Sequence, residues 1–222
     1  MSEFPPARSI QTNGITLSVH IAGPEDGQPL LLVHGWPELA YSWKNQIGVL
    51  AAAGYRVIAP DLRGFGGSDR PEAVSDYVMD TLIADLTGLL DALGHESAVW
   101  VGHDWGGIIT WHAAMLAKSH VAGVIGVNTP HLPRGAEPPT HYFREVGGDE
   151  HYILRFQEPG LAEKVFEGRE DDFFAFMFGR PPKASELESR FPDITHIPRL
   201  FESFKGRPDE RIVVPPEDRK IY

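Results

Sequence analysis

The chain has 222 residues, is 42% hydrophobic and carries a formal net charge of −11. That is enough apolar material for one globular domain, or one domain with an insertion, and it excludes an extended disordered polymer. The negative balance argues against nucleic acid or an anionic membrane surface as partner. The absence of cysteine excludes a disulfide, a thiol nucleophile and a thiolate metal site.

In chain order, Met1-Ser-Glu-Phe-Pro-Pro shows no basic region followed by an apolar stretch, so no signal peptide is expected. No apolar run approaches membrane-spanning length, and a cytoplasmic protein is the expectation. Asn13-Gly14 reads as a hairpin turn, and the alternation over residues 15–22 as a strand. Residues 24–28 form a turn. A buried strand over 30–33 ends at His34-Gly35-Trp36-Pro37. Helical spacing over 43–53 stops at Gly54. A short buried strand, 57–59, opens into the glycine-rich loop Asp61-Leu-Arg-Gly-Phe-Gly-Gly-Ser68. Residues 78–93 form an amphipathic helix closed by Gly94. A strand over 97–101 leads into Gly102-His103-Asp104-Trp105-Gly106-Gly107, with a helix over 108–116 behind it and one more buried strand over 121–127. Strands alternating with helices after the opening pair imply α/β, a mostly parallel sheet with helices on both faces.

From Pro130 the texture changes. Pro130, Pro133, Pro138 and Pro139 mark a linker, followed by aromatic, helix-like stretches over 152–156, 162–166 and 171–178. Val213-Val214 precedes two prolines, a poor context for a central strand. The expected division is a core over 1–131 and an incomplete helical region over 132–222.

The spacing around Asp104 carries chemistry. Small residues two before and two and three after it describe a sharp strand-to-helix turn that lifts one side chain above a sheet at a helix N-terminus. A plain N-cap aspartate is the alternative for this position alone. With His34-Gly-Trp-Pro37, the loop 61–68 and His151-Tyr-Ile-Leu-Arg-Phe-Gln-Glu-Pro-Gly160, the set resembles the soluble epoxide hydrolases of the α/β-hydrolase superfamily, from about residue 15 onward.

That resemblance implies an α/β-hydrolase fold with a helical cap. It implies Asp104 as a nucleophile that opens an epoxide to an alkyl-enzyme ester, which water cleaves to a vicinal diol. A carboxylate needs no base for the first step, whereas the ester oxyanion of the second needs preorganised N–H donors. The resemblance assigns those donors to the backbones of Trp36 and Trp105, a cis peptide to the bond before Pro37, and the leaving-oxygen proton to Tyr152. Trp36, Trp105 and Tyr152 are then also substrate-binding residues. Arg155 stands where the cap pattern carries an aromatic residue. The family's base His, its relay acid, a second cap Tyr and its last core strands have no counterpart here, and Asn128-Thr129-Pro130 offers no carboxylate as a substitute acid.

Two other readings stay open. A haloalkane or haloacid dehalogenase shares the aspartate elbow, although Trp36 and Trp105 stand where such enzymes tend to carry Asn and Arg. An inactive remnant that keeps the fold is the other. No serine occupies the elbow, and the loop 64–68 lacks dinucleotide-binding spacing. No metal or cofactor is implied. The expected partner is a small apolar epoxide. Strand 121–127, left as an apolar sheet edge, predicts self-association.

Overall fold

The computed structural model describes residues 4–133, 135–179, 195–202, 204 and 213–222. These fall into two compact units, Met1–Leu132 and Pro133–Tyr222.

The first unit is built on six strands: β1 (Ala7–Thr12), β2 (Ile15–Ala22), β3 (Pro29–Val33), β4 (Arg56–Pro60), β5 (Ala98–His103) and β6 (Val121–Val127). Their spatial order is β1-β2-β4-β3-β5-β6. The β1–β2 and β2–β4 pairs are antiparallel, and β4, β3, β5 and β6 run parallel. Asn13 and Gly14 take φ of 41° and 77°, the left-handed pair a two-residue hairpin requires. Strand β1 was not placed from sequence, because its Ala-Arg-Ser-Ile-Gln-Thr is polar and mostly exposed and shows no buried run.

Three helices cover the sheet: α1 (Lys44–Ala52), α2 (Met79–Ala92) and α3 (Trp105–Leu116). Side chains alternate across a strand, so β3 feeds two cores. Leu31 and Val33 join Leu86, Leu89 and Ile109 from α2 and α3 on one face. Leu30 and Leu32 join Trp43 and Ile47 beside α1 on the other. Burial on both faces is why β3 reads as an unbroken apolar run rather than an alternating one.

Strand β3 leads through α1 to β4 on one side, and β5 leads through α3 to β6 on the other. The connections therefore diverge between neighbouring strands β3 and β5. The crevice at the carboxyl ends of such a pair is where open α/β sheets place ligands. Val33 pairs with Gly102 at the end of this register, so the His34–Pro37 turn and the Asp104 turn emerge side by side.

The second unit contains α4 (Pro139–Gly147), α5 (Tyr152–Arg155), α6 (Leu161–Phe166), α7 (Glu170–Met177), α8 (Ile197–Glu202) and α9 (Pro216–Arg219). Its core is aromatic. Phe166 lies 4.3 Å from Phe173 and 5.4 Å from Phe201, ring centre to ring centre, and the Arg169 guanidinium sits 4.2 Å over the Phe201 ring. Arg219 ties α9 back to Asp171 of α7 at 2.9 Å. Among the described residues, no helix is long and apolar enough to cross a membrane.

Candidate active site

Asp104 is the first residue past β5, with φ 52° and ψ −122°. A non-glycine residue in this region stores strain of about 1–3 kcal/mol, held in place by its surroundings. Four missing Cβ atoms make the turn possible. A Cβ on Gly102 would strike the Gly106 carbonyl, and one on Gly106 would strike the Val33 and His34 carbonyls. A Cβ on Gly107 would meet Thr129, and one on Gly35 would meet the Asp104 side chain itself. Gly106 and Gly107 lie within the first turn of α3, which therefore starts at Trp105, three residues earlier than the spacing of its apolar residues indicates.

The Asp104 side chain makes no capping bond to α3. Instead its Oδ1 accepts the backbone N–H of Trp36 at 2.9 Å. The plain N-cap alternative is thereby replaced by a carboxylate held from the neighbouring strand's loop. The Asp104 carbonyl accepts the first α3 bond, from the Ile108 N–H at 3.1 Å, and one from the Thr129 hydroxyl at 3.3 Å. Trp105 occupies the first helical position, where backbone N–H groups lie ahead of the intrahelical ladder. Its indole is exposed.

The loop after β3 is fixed from below. The Trp36–Pro37 peptide is cis, as the resemblance implies. The Glu38 N–H closes the turn on the Gly35 carbonyl at 3.0 Å. His34 is fully buried; its Nε2 accepts the Leu62 N–H and its Nδ1–H donates to the Gly35 carbonyl, each at 2.9 Å. Burial holds its pKa down, and both nitrogens are committed to the neutral ring.

The glycine-rich loop does the rest. The buried Asp61 carboxylate accepts the N–H of Ala40 at 3.0 Å and of Gly67 at 3.1 Å. Ser68 donates its hydroxyl to the Asp61 carbonyl at 2.7 Å and accepts the Ser18 N–H at 2.9 Å. Arg63 forms two parallel 2.7 Å bonds to Asp85 of α2, with both side chains buried. What marks the superfamily in sequence is, in space, the bracket beneath the Trp36 loop.

One pair escaped the sequence reading. His103 Nδ1 lies 3.1 Å from Glu38 Oε2, joining the elbow to the turn after β3. The hydrogen bond to Glu38 raises the His103 pKa, against an opposing pull from partial burial. Glu38 lies 65 residues from His103, and the adjacency of His103 to the Asp104 turn was the only available sequence signal. Tyr152 is the first residue of α5 in the second unit. The structure thus brings together Asp104, Trp36 and Trp105 within the first unit.

This cluster can present a carboxylate with one oxygen held and the other available, next to backbone donors. Among the described residues, no group of three or more His, Asp or Glu side chains could hold a metal ion.

A family model described as alpha/beta hydrolase fold matches residues 28–214. The chain is 50% identical over 181 residues to epoxide hydrolase A of Mycobacterium tuberculosis, covering 80% of this chain and 56% of the relative. It superposes on the crystal structure of epoxide hydrolase A from Mycobacterium thermoresistibile with TM-score 0.85 and 41% identity, over 97% of this chain and 68% of that one. An epoxide hydrolase from an endophytic Streptomyces gives TM-score 0.87 at 34% identity, over 100% and 67%. The chain belongs to the α/β-hydrolase superfamily and, within it, to the soluble epoxide hydrolases. It spans about half the length of the curated relatives it matches.

Proposed function

We propose that Asp104 is an alkylating nucleophile that opens a small apolar epoxide. The reading is carried by one observation: Oδ1 of Asp104 is held by the Trp36 N–H at 2.9 Å in a turn that raises the carboxylate off the sheet. The bonded oxygen is then the weaker attacker, so Oδ2 forms the bond to the epoxide carbon. The carbon–oxygen bond of the epoxide breaks, and the departing alkoxide takes a proton from the Tyr152 phenol. Oδ1 becomes the ester carbonyl oxygen.

Water adding at that carbonyl places negative charge on Oδ1, the atom the Trp36 N–H already faces. Trp36 N–H and Trp105 N–H form the oxyanion hole in this proposal, and the resemblance makes Trp36, Trp105 and Tyr152 substrate-binding residues. The helical second unit is the cap. The ester step also needs a base. His34 cannot serve, because both its nitrogens are bonded and buried. With no base assigned among the described residues, we expect alkylation to outpace hydrolysis.

Intact mass after mixing the chain with a reactive aryl epoxide tests this, with Asp104→Asn as control. An adduct of one substrate mass that persists, and is absent in the control, is the expected result. Rapid diol release without adduct would reveal a base among the remaining groups. No adduct and no diol from a folded chain would remove the proposal. Halide release from chloroalkanes without reaction at epoxides would replace it with the dehalogenase reading.

A further inference from the structure

Tyr152 stands on a helix of four residues, α5. So short a helix cannot hold its own geometry by propagation of its hydrogen bonds. Something outside it must set the Tyr152 backbone and ring. The structure places His151 in both roles.

His151 is buried, 4% exposed. Its Nδ1 accepts the Ile153 N–H at 3.2 Å and so caps α5. The same ring stacks on the Tyr152 phenol, 5.1 Å between centres with planes 20° apart. Phe143 of α4 lies on it as well, at 4.8 Å. Gly147 makes the fit possible, since a Cβ there would sit 2.6 Å from His151 Cδ2. Phe156 meets the Tyr152 ring edge-on at 5.8 Å. A cap alone is supplied by the small side chains of Ser or Asn, which are preferred at this position. The imidazole adds a flat face of the right size to hold a phenol.

We infer that His151 is a positioning residue that fixes the backbone and ring plane of Tyr152 for proton transfer to the departing epoxide oxygen. The inference rests on the reading of Tyr152 as proton donor. The ring is neutral in this arrangement, since Nδ1 accepts and the proton is on Nε2. Burial, and His196 facing it from the segment before α8, both hold its pKa down.

The test uses two alkylating probes on the full chain, with adduct formation followed by intact mass. An aryl epoxide needs a proton on its departing oxygen. Benzyl bromide does not, because bromide leaves unaided. Tyr152→Phe keeps the ring and removes only the hydroxyl, so it should slow the epoxide about a hundredfold relative to the bromide. His151→Asn keeps a cap acceptor and removes the ring; His151→Phe keeps a ring and removes the acceptor. Each should slow the epoxide about tenfold, leave the bromide alone, and add nothing in a Tyr152→Phe background.

Equal slowing with both probes, or effects that multiply in the Tyr152→Phe background, would reduce His151 to a packing residue. Slowing by Tyr152→Phe with no effect of either His151 variant would sink this inference and leave the donor reading intact. No effect of Tyr152→Phe would remove the donor reading and this inference with it. His151→Asn carries the test if His151→Phe does not fold.

Discussion

The Trp36 N–H reaches the Asp104 carboxylate at 2.9 Å across 68 residues of sequence. The contact exists because β3 and β5 are parallel neighbours and both turns leave their carboxyl ends together. Gly35 makes it possible, since a Cβ there would occupy the space of the Asp104 Cβ and Oδ1. Gly35→Ala is therefore expected to displace the carboxylate. Overpacking of this kind costs about 1–3 kcal/mol in stability. Adduct formation should fall about a hundredfold, far beyond what the lost stability alone predicts. A urea melt and an intact-mass time course on one preparation measure both, and an unchanged alkylation rate would mean that Gly35 is replaceable.

The His103–Glu38 pair gives the fold a pH signature. Its hydrogen bond raises the His103 pKa above the ordinary 6.5. The stability it contributes is complete below pH 6.5 and is lost as the pH rises through the raised value. His34 has the opposite sign. Its buried ring resists protonation, so a penalty grows as the pH falls below 6.5. The stability difference between the parent chain and Glu38→Gln should be largest at or below about pH 6 and shrink as the pH rises through the raised His103 value. The acid-side loss should persist in Glu38→Gln. A pH-independent difference would show that the pair contributes no charge interaction.

Arg63 and Asp85 are expected to act as one unit. Both are buried, and Asn13 also donates to Asp85 Oδ1 at 2.8 Å. Removing one partner strands a buried charge, so Arg63→Met should cost about 3–5 kcal/mol. Arg63→Met combined with Asp85→Leu should recover much of that loss, because apolar replacement of both partners leaves no orphan charge. Denaturant melts of Arg63→Met, Asp85→Leu and the double variant decide it; a double variant as unstable as the sum of the singles would mean the pair is not coupled.

We propose that β6 drives self-association. It is the edge of the sheet among the described residues, carries the run Val-Ala-Gly-Val-Ile-Gly-Val, and leaves Ile125 52% exposed. Apolar edges of this kind pair with other chains. Ile125→Lys should lower the associated fraction in light scattering with little change in thermal stability, as exposed substitutions usually shift stability by about 0.5 kcal/mol or less. Association unaffected by the lysine would locate it elsewhere.

The sequence by itself determined what local chemistry can encode. The glycines at 102, 106 and 107 announce the turn under Asp104 because each forbids a Cβ within a few residues of that position. The apolar runs of β3 and β5 announce strands buried on both faces, and Asn13-Gly14 announces the hairpin. Strand β1 was silent because a polar edge strand has no buried face to advertise. Only the tertiary structure decided which oxygen of Asp104 is held, why Gly35 cannot carry a side chain, and that Glu38 pairs with His103. It also turned Asp61 and Ser68 from a signature into ties, Asp61 to Ala40 beyond the Trp36 turn and Ser68 to Ser18 of β2. Each of these joins groups from different strands, loops or turns. Contacts of that kind depend on sheet order and register, and neither is written in the residues that make them.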